Sequence, residues 1–130
     1  MKNFTPSSSN PWDSSKIQLV FRRLGFGCSL SDIDKYSNYT PEQTIEDIID
    51  NAKLTDFTAA PVWAHWDNKT FNSSGNNKAY YHTILQKQAL SDMINNGFRE
   101  RLSLFWSNHF VVEYLDVNQP AYLYKYYKLI

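Results

Sequence analysis

The sequence predicts an all-α protein: an irregular bundle of four to five helices with a long Trp-containing loop, read as a fragment of a larger helical protein. Two observations carry this expectation. Apolar residues recur at helical spacing in most of the chain, and helix-start signals precede several of these runs. A short extended stretch over residues 109–117 is the single alternative that the pattern allows.

Each element follows in order. Residues 1–12 are rich in Ser, Asn and Pro and read as a flexible N-terminal lead-in, with a helical domain over residues 13–130. Asp13 or Ser14 can cap a helix whose apolar positions are Ile17, Val20, Phe21 and Leu24. Gly25 ends it, and Ser29 or Ser31 caps a short turn over Leu30 and Ile33. Thr40-Pro41-Glu42-Gln43 combines an N-cap, a proline at the first helical position and a capping-box partner. A helix through Ile45, Ile48, Ile49 and Ala52 should follow.

Residues 54–77 change character and read as a surface loop around Val62-Trp63-Ala64-His65-Trp66, pinned to a core by its tryptophans. A long helix is expected from Lys78 to Ile94, with Asn95-Asn96-Gly97 turning into the next one. That next helix, Gly97 to Tyr114, is expected to be central and buried over most of its circumference. Phe98, Leu102, Phe105, His109 and Val112 share its narrow apolar face, and only Glu100, Ser103 and Ser107 form a polar strip. A last helical pattern begins at Tyr122 and runs to Ile130 without a stop signal, which suggests a chain cut from a longer protein that packs against its missing C-terminal part. Such a fragment could also self-associate.

Composition narrows the function. Thirteen basic and thirteen acidic side chains cancel, so no overall field attracts nucleic acid. The cancellation is segmental: residues 1–30 lean basic and residues 31–56 lean acidic, which suits two segments packed side by side. One cysteine, Cys28, excludes an intrachain disulfide and a Cys-rich zinc site and reads as structural. No stretch approaches a membrane span, and the start MKNFTPSSSNPWDSS holds no apolar run of signal-peptide length. With 8 Phe, 9 Tyr and 4 Trp, the chain carries more aromatic surface than a small bundle needs for its own core.

The densest chemistry lies in Arg99-Glu100-Arg101-Leu102-Ser103-Leu104-Phe105-Trp106-Ser107-Asn108-His109-Phe110. His109 has two readings: a neutral core histidine hydrogen-bonded to a carbonyl or to Asn108, or a site residue paired with Glu113 four positions on. A His and a carboxylate at that helical spacing can share a metal or orient a general base. Only His65 and His82 remain to complete a coordination shell, so the metal ligands stay His109 and Glu113 as candidates, and no cofactor is specified. Arg101 and Asn108, two turns apart, have two readings: an arginine that ties the helix to a neighbouring carbonyl or carboxylate, or an anion site to which Arg22-Arg23 could add a guanidinium if the helices touch.

Two motifs, Phe21-Arg22-Arg23-Leu24-Gly25-Phe26-Gly27 and the Phe98 to Phe110 run, with the Thr40-Pro41 helix start between them, resemble the N-terminal part of the bacterial domain of unknown function 1800 family. Its members resemble "LLRRAGFG" early and "LRERMxLFWHNHF" later, and the likeness runs from about Trp12 to the end of the chain. The resemblance implies a longer protein, often associated with export or the cell envelope, and supplies no activity. Leu19 and Ser107 stand where many members have His, and Phe98 stands where Pro-Leu is common. The Ser107 departure removes one ligand from a His-x-His pair. Two functions follow: a helical segment with a structural or interaction role, in which Trp63, Trp66, Trp106 and the tyrosines serve as core and interface, or part of a metal-assisted hydrolase to which Arg101, Asn108, His109 and Glu113 contribute.

Overall fold

The computed structural model of the chain describes residues 4–56, 58–75 and 77–129. They form eight α-helices and one 3₁₀ helix; among the described residues there is no strand, only an isolated bridge between Ser7 and Asn10. The class is all-α. The count exceeds the four or five expected because three helices, α2 (Leu30–Tyr36), α4 (Asn68–Ser73) and α7 (Tyr114–Val117), span two turns or fewer. Of these, α2 falls where a short turn over Leu30 and Ile33 was expected, while α4 and α7 are too short to show a readable period. The chain divides into two compact units, Met1–Thr55 with Asn96–Arg101, and Asp56–Asn95 with Leu102–Ile130.

The first unit holds α1 (Ser14–Leu24), α2 and α3 (Pro41–Leu54). Its helix starts follow local chemistry. Asp13 caps α1 by accepting from the amides of Ser15 and Lys16. Ser29 with Asp32, and Thr40 with Gln43, close reciprocal capping boxes on α2 and α3, each satisfying amides that a helix start leaves without partners. Ile17, Tyr36 and Ile48 form the buried core, with Trp12, Val20, Phe21, Leu24 and Phe98 packed against it. Trp12 is fixed by its indole N–H, which donates to the Tyr36 carbonyl at 3.2 Å. Gly25 is small for a reason: a Cβ there would lie 3.2 Å from the Phe21 carbonyl oxygen that its own amide binds.

Among the described residues the acidic segment forms no ion pair with the basic one. Asp47 accepts from Lys35 at 2.7 Å, from the Tyr36 hydroxyl at 2.6 Å and from Asn51 at 2.9 Å, and Asp50 pairs with Lys53 at 2.8 Å. These cations come from the acidic segment itself. The two segments meet through Ile17, Tyr36 and Ile48, so apolar burial joins them.

The second unit is organised by aromatic rings. Trp63 sits on the 3₁₀ helix Val62–His65, Phe71 on α4, Tyr81 and Leu85 on α5 (Lys78–Asn96), and Ala121, Leu123 and Tyr124 on α8 (Pro120–Leu129). Tyr81 is the hub, with ring centroids 5.9 Å from Trp63, 5.4 Å from Trp66 and 5.1 Å from Phe71. Trp63 also meets Tyr124 edge-on at 5.8 Å. The stretch expected as a surface loop therefore contains two short helices, and its tryptophans pack into the core as expected. Asp67, which accepts from the Thr70 amide, is the start signal for α4 that residue pattern alone left unread.

Asp92 on α5 is 3% exposed. Its carboxylate is held by neutral donors: Thr58 at 2.7 Å, Gln88 at 2.8 Å and Tyr127 at 3.3 Å. A buried carboxylate needs such bonds to offset lost hydration.

Candidate functional site

Helix α6 (Phe98–His109) carries every candidate residue except Glu113, and its local structure decides what they can do. Gly97 adopts φ 52°, a left-handed conformation that favours glycine, and breaks α5 from α6 in one residue. Its carbonyl accepts from the Arg101 amide at 3.0 Å and so opens α6. In the first turn, Arg99 Nη1 donates to the Thr55 carbonyl at 2.6 Å, and Glu100, 3% exposed, takes Asn96 Nδ2 at 3.4 Å and Arg99 Nη2 at 3.5 Å.

The expected orientation of α6 is reversed. Glu100 is buried, Ser103, Leu104 and Ser107 are half-buried, and the apolar stripe faces outward. Leu102 is 43% exposed, Phe105 50%, Trp106 41% and Phe110 57%. At about 100° per residue, Glu100 and Ser107 lie roughly opposite Leu102 and His109, so turning one side in turns the other out. The fixed side is the one that carries Glu100. A buried carboxylate with its hydrogen bonds is costly to rotate into any position that would strip them.

The outward stripe is a continuous set of rings. Phe105 and Trp106 lie 5.2 Å apart edge-on, and His109 sits 4.2 Å from Phe105 and 5.9 Å from Trp106. Phe110 stacks on Trp106 at 5.6 Å with an interplanar angle of 15°. His109 is exposed, and its Nδ1 lies 2.8 Å from the Phe105 carbonyl; a carbonyl only accepts, so that nitrogen carries a proton. The carbonyl partner is the one the core reading named, while the burial that reading assumed is absent. The Tyr126 hydroxyl donates to the Phe110 carbonyl and ties the end of the stripe to α8.

The other candidates are not gathered around His109. Helix α6 stops at His109, residues 111–113 are non-helical, and Glu113 is the exposed N-cap residue of α7 with no capping hydrogen bond of its own. The one-turn geometry assumed for His109 and Glu113 is therefore lost. Val112 leaves the helical face for the same reason, and the region contains no strand. Arg101 is exposed, with its guanidinium over the Phe26 ring at 5.6 Å, and Asn108 is exposed. Arg22 Nε turns to Gln18 O on its own helix at 3.4 Å. Among the described residues no group of three or more His, Cys, Asp or Glu side chains could hold a metal.

An open depression of 430 Å³ lies in the first unit, lined by Asn38, Tyr39, Gln43, Glu46, Asp47 and Asp50. Two of its three carboxylates are engaged by Lys35 and Lys53. Cys28 is half-buried, and burial raises its thiol pKa, with Asp32 adding to the shift, so the nucleophilic thiolate is disfavoured. No helix among the described residues is long and apolar enough to cross a membrane.

Fold and surface together define an all-α protein with an outward aromatic stripe on α6. The chain belongs to the family described as Protein of unknown function (DUF1800), whose model matches residues 19–130. The match contains both motifs that carry the resemblance and begins at Leu19, later than Trp12. No curated protein and no solved structure matches the chain.

Proposed function

We propose that this chain has an interaction role and that the ring stripe of α6 is its contact surface. The observation that supports the reading is the set Phe105, Trp106 and Phe110, joined by ring contacts yet 41 to 57% exposed. Large contiguous apolar patches are uncommon on monomeric proteins, and the largest patch a monomer exposes is often where something binds. Trp and Phe are also among the residues that anchor protein contacts, because each removes a large area from water on docking. Trp63, Trp66, Tyr124 and Tyr127 serve as core, and Trp106 serves as interface.

The metal-assisted hydrolase reading needs Arg101, Asn108, His109 and Glu113 to converge with further ligands, and no geometry described above favours it. The test of the contact reading is stability. Replacing Phe105 and Phe110 together with Ser in dilute protein should change unfolding free energy by no more than about 1 kcal/mol, the range of surface substitutions. A loss of about 3–5 kcal/mol for either ring would show that the stripe is core and reject the proposal.

A further inference from the structure

We infer that the end of α1 and the start of α6 form a binding site for a phosphate group in the first unit, with Arg22, Arg23 and Arg101 as its donors. The two helix ends touch there. A Cβ on Gly25, the residue that ends α1, would lie 4.0 Å from the Gly97 carbonyl carbon, and the Arg101 guanidinium lies over the Phe26 ring at 5.6 Å. Arg22 and Arg23 precede Gly25 by less than a turn, and Arg101 follows Gly97 by one turn, its amide bonded to the Gly97 carbonyl at 3.0 Å. At a rise of about 5.4 Å per turn, the three arginine backbones lie within roughly 15 Å of one another. All of these residues belong to the first unit.

The cluster is electrostatically uncompensated. All three arginines are exposed, and among the described residues none forms an ion pair with a carboxylate. Arg22 Nε donates to the Gln18 carbonyl at 3.4 Å, which leaves its two Nη groups without a protein partner among the described residues. Asp32 lies close enough for its charge, like that of Arg22, to act on the Cys28 thiol, yet its carboxylate is bonded to Ser29 in the α2 capping box. Glu100 is buried. Arg22 and Arg23 suit the last turn of α1, where the helix dipole is negative, but Arg101 stands within the first four residues of α6, where the dipole repels a cation. Three like charges are thus held beside the positive end of a helix, and a bound anion would offset them.

The donors select phosphate. A guanidinium is a planar fork, and one stacked over a ring, as Arg101 is over Phe26, keeps its in-plane N–H groups free to donate. A carboxylate carries one charge and fills one fork, whereas a phosphate carries up to two charges and offers at least three acceptor oxygens to several forks. Phe26, 42% exposed, adds a ring face beside the site against which the organic part of a phosphate ester can lie.

Isothermal titration calorimetry of the full chain with inorganic phosphate at about 0.1 M ionic strength tests this, with circular dichroism confirming that each variant keeps its helices. The wild type should bind with a Kd of about 1 mM or below, and Arg23→Gln and Arg101→Gln should each weaken binding at least about tenfold. Arg101→Lys, which keeps the charge and loses the fork, should recover only part of that loss. Lys16→Gln removes the same charge from the opposite end of α1 and should leave affinity within about twofold. Phenyl phosphate held several-fold tighter than inorganic phosphate would assign the site to an ester whose ring lies against Phe26, and equal affinity would assign it to free phosphate. A folded wild type that takes up no phosphate at about 10 mM would overturn the proposal. A loss in Lys16→Gln as large as that in Arg101→Gln would overturn it too, since a diffuse field would then account for the binding.

Discussion

Helices α6 and α8 are both rich in aromatic residues, but only α8 sends a ring fully into a core, while leaving another, Tyr122, exposed. On α8, Ala121, Leu123 and Tyr124 are buried, and Tyr124 meets Trp63 edge-on. On α6, Phe105 and Trp106 are half exposed, and the buried residue is Glu100. Aromatic content alone therefore does not separate core from contact surface. What separates them is which side of the helix its strongest polar anchor occupies. Glu100 sits inside with Asn96 and Arg99, whereas α8 carries Lys125 and Lys128 outward over tyrosine rings.

This contrast can be broken most forcefully at the core of the second unit. Phe71, 1% exposed and 5.1 Å from Tyr81, should cost about 3–5 kcal/mol when replaced by Ala, read from the denaturant midpoint. A loss below ~1 kcal/mol would mean that the ring cluster is not the core. Next comes Asp92→Ala, which removes the acceptor shared by Thr58 and Gln88 and should destabilise by about 2–3 kcal/mol. Stability unchanged by it would show that those bonds contribute nothing net.

A smaller effect is expected in the first unit. Hydrogen bonds from Lys35 and then Tyr36 hold the Asp47 carboxyl below the usual carboxylate range, and the bond to Asp47 holds the Lys35 ammonium above the usual lysine range. Asp47's contribution is therefore present above about pH 4 and fades as pH falls through its depressed folded value. Lys35's is present below about pH 10 and fades as pH rises through its raised one. Lys35→Met should cost only about 0.5–1 kcal/mol at neutral pH, because both groups are partly exposed, and should flatten the acid limb of a stability–pH curve. An acid limb identical to wild type would remove Lys35 as the cause of Asp47's shift. The effect proposed for Phe105 and Phe110 is no larger than this one.

Helix class and most helix starts were legible because they are local. Asp13, Thr40 and Gln43 act within four residues of themselves, and the structure uses them as the sequence implies. The Trp63 anchor was legible too, since a loop tryptophan has few other places to go. The orientation of α6 was not. Its pattern of Leu102, Phe105 and His109 defines a stripe but not what the stripe faces, and the exposure of Phe105 and Trp106 is a tertiary property that spacing does not carry. Nor could spacing show that α6 ends at His109. Val111 and Val112 continue an apolar run, yet the chain leaves the helix and restarts at Tyr114, with Asn118 in the left-handed region closing that short turn.

The outward orientation of α6 is tested most directly by hydroxyl-radical footprinting of dilute protein, with Trp106 compared against Trp63 in the same digest. Trp106 at 41% exposure should oxidise several-fold faster than Trp63 at 6%. Equal, slow oxidation of the two rings would mean that α6 turns its aromatic side inward and would contradict the account.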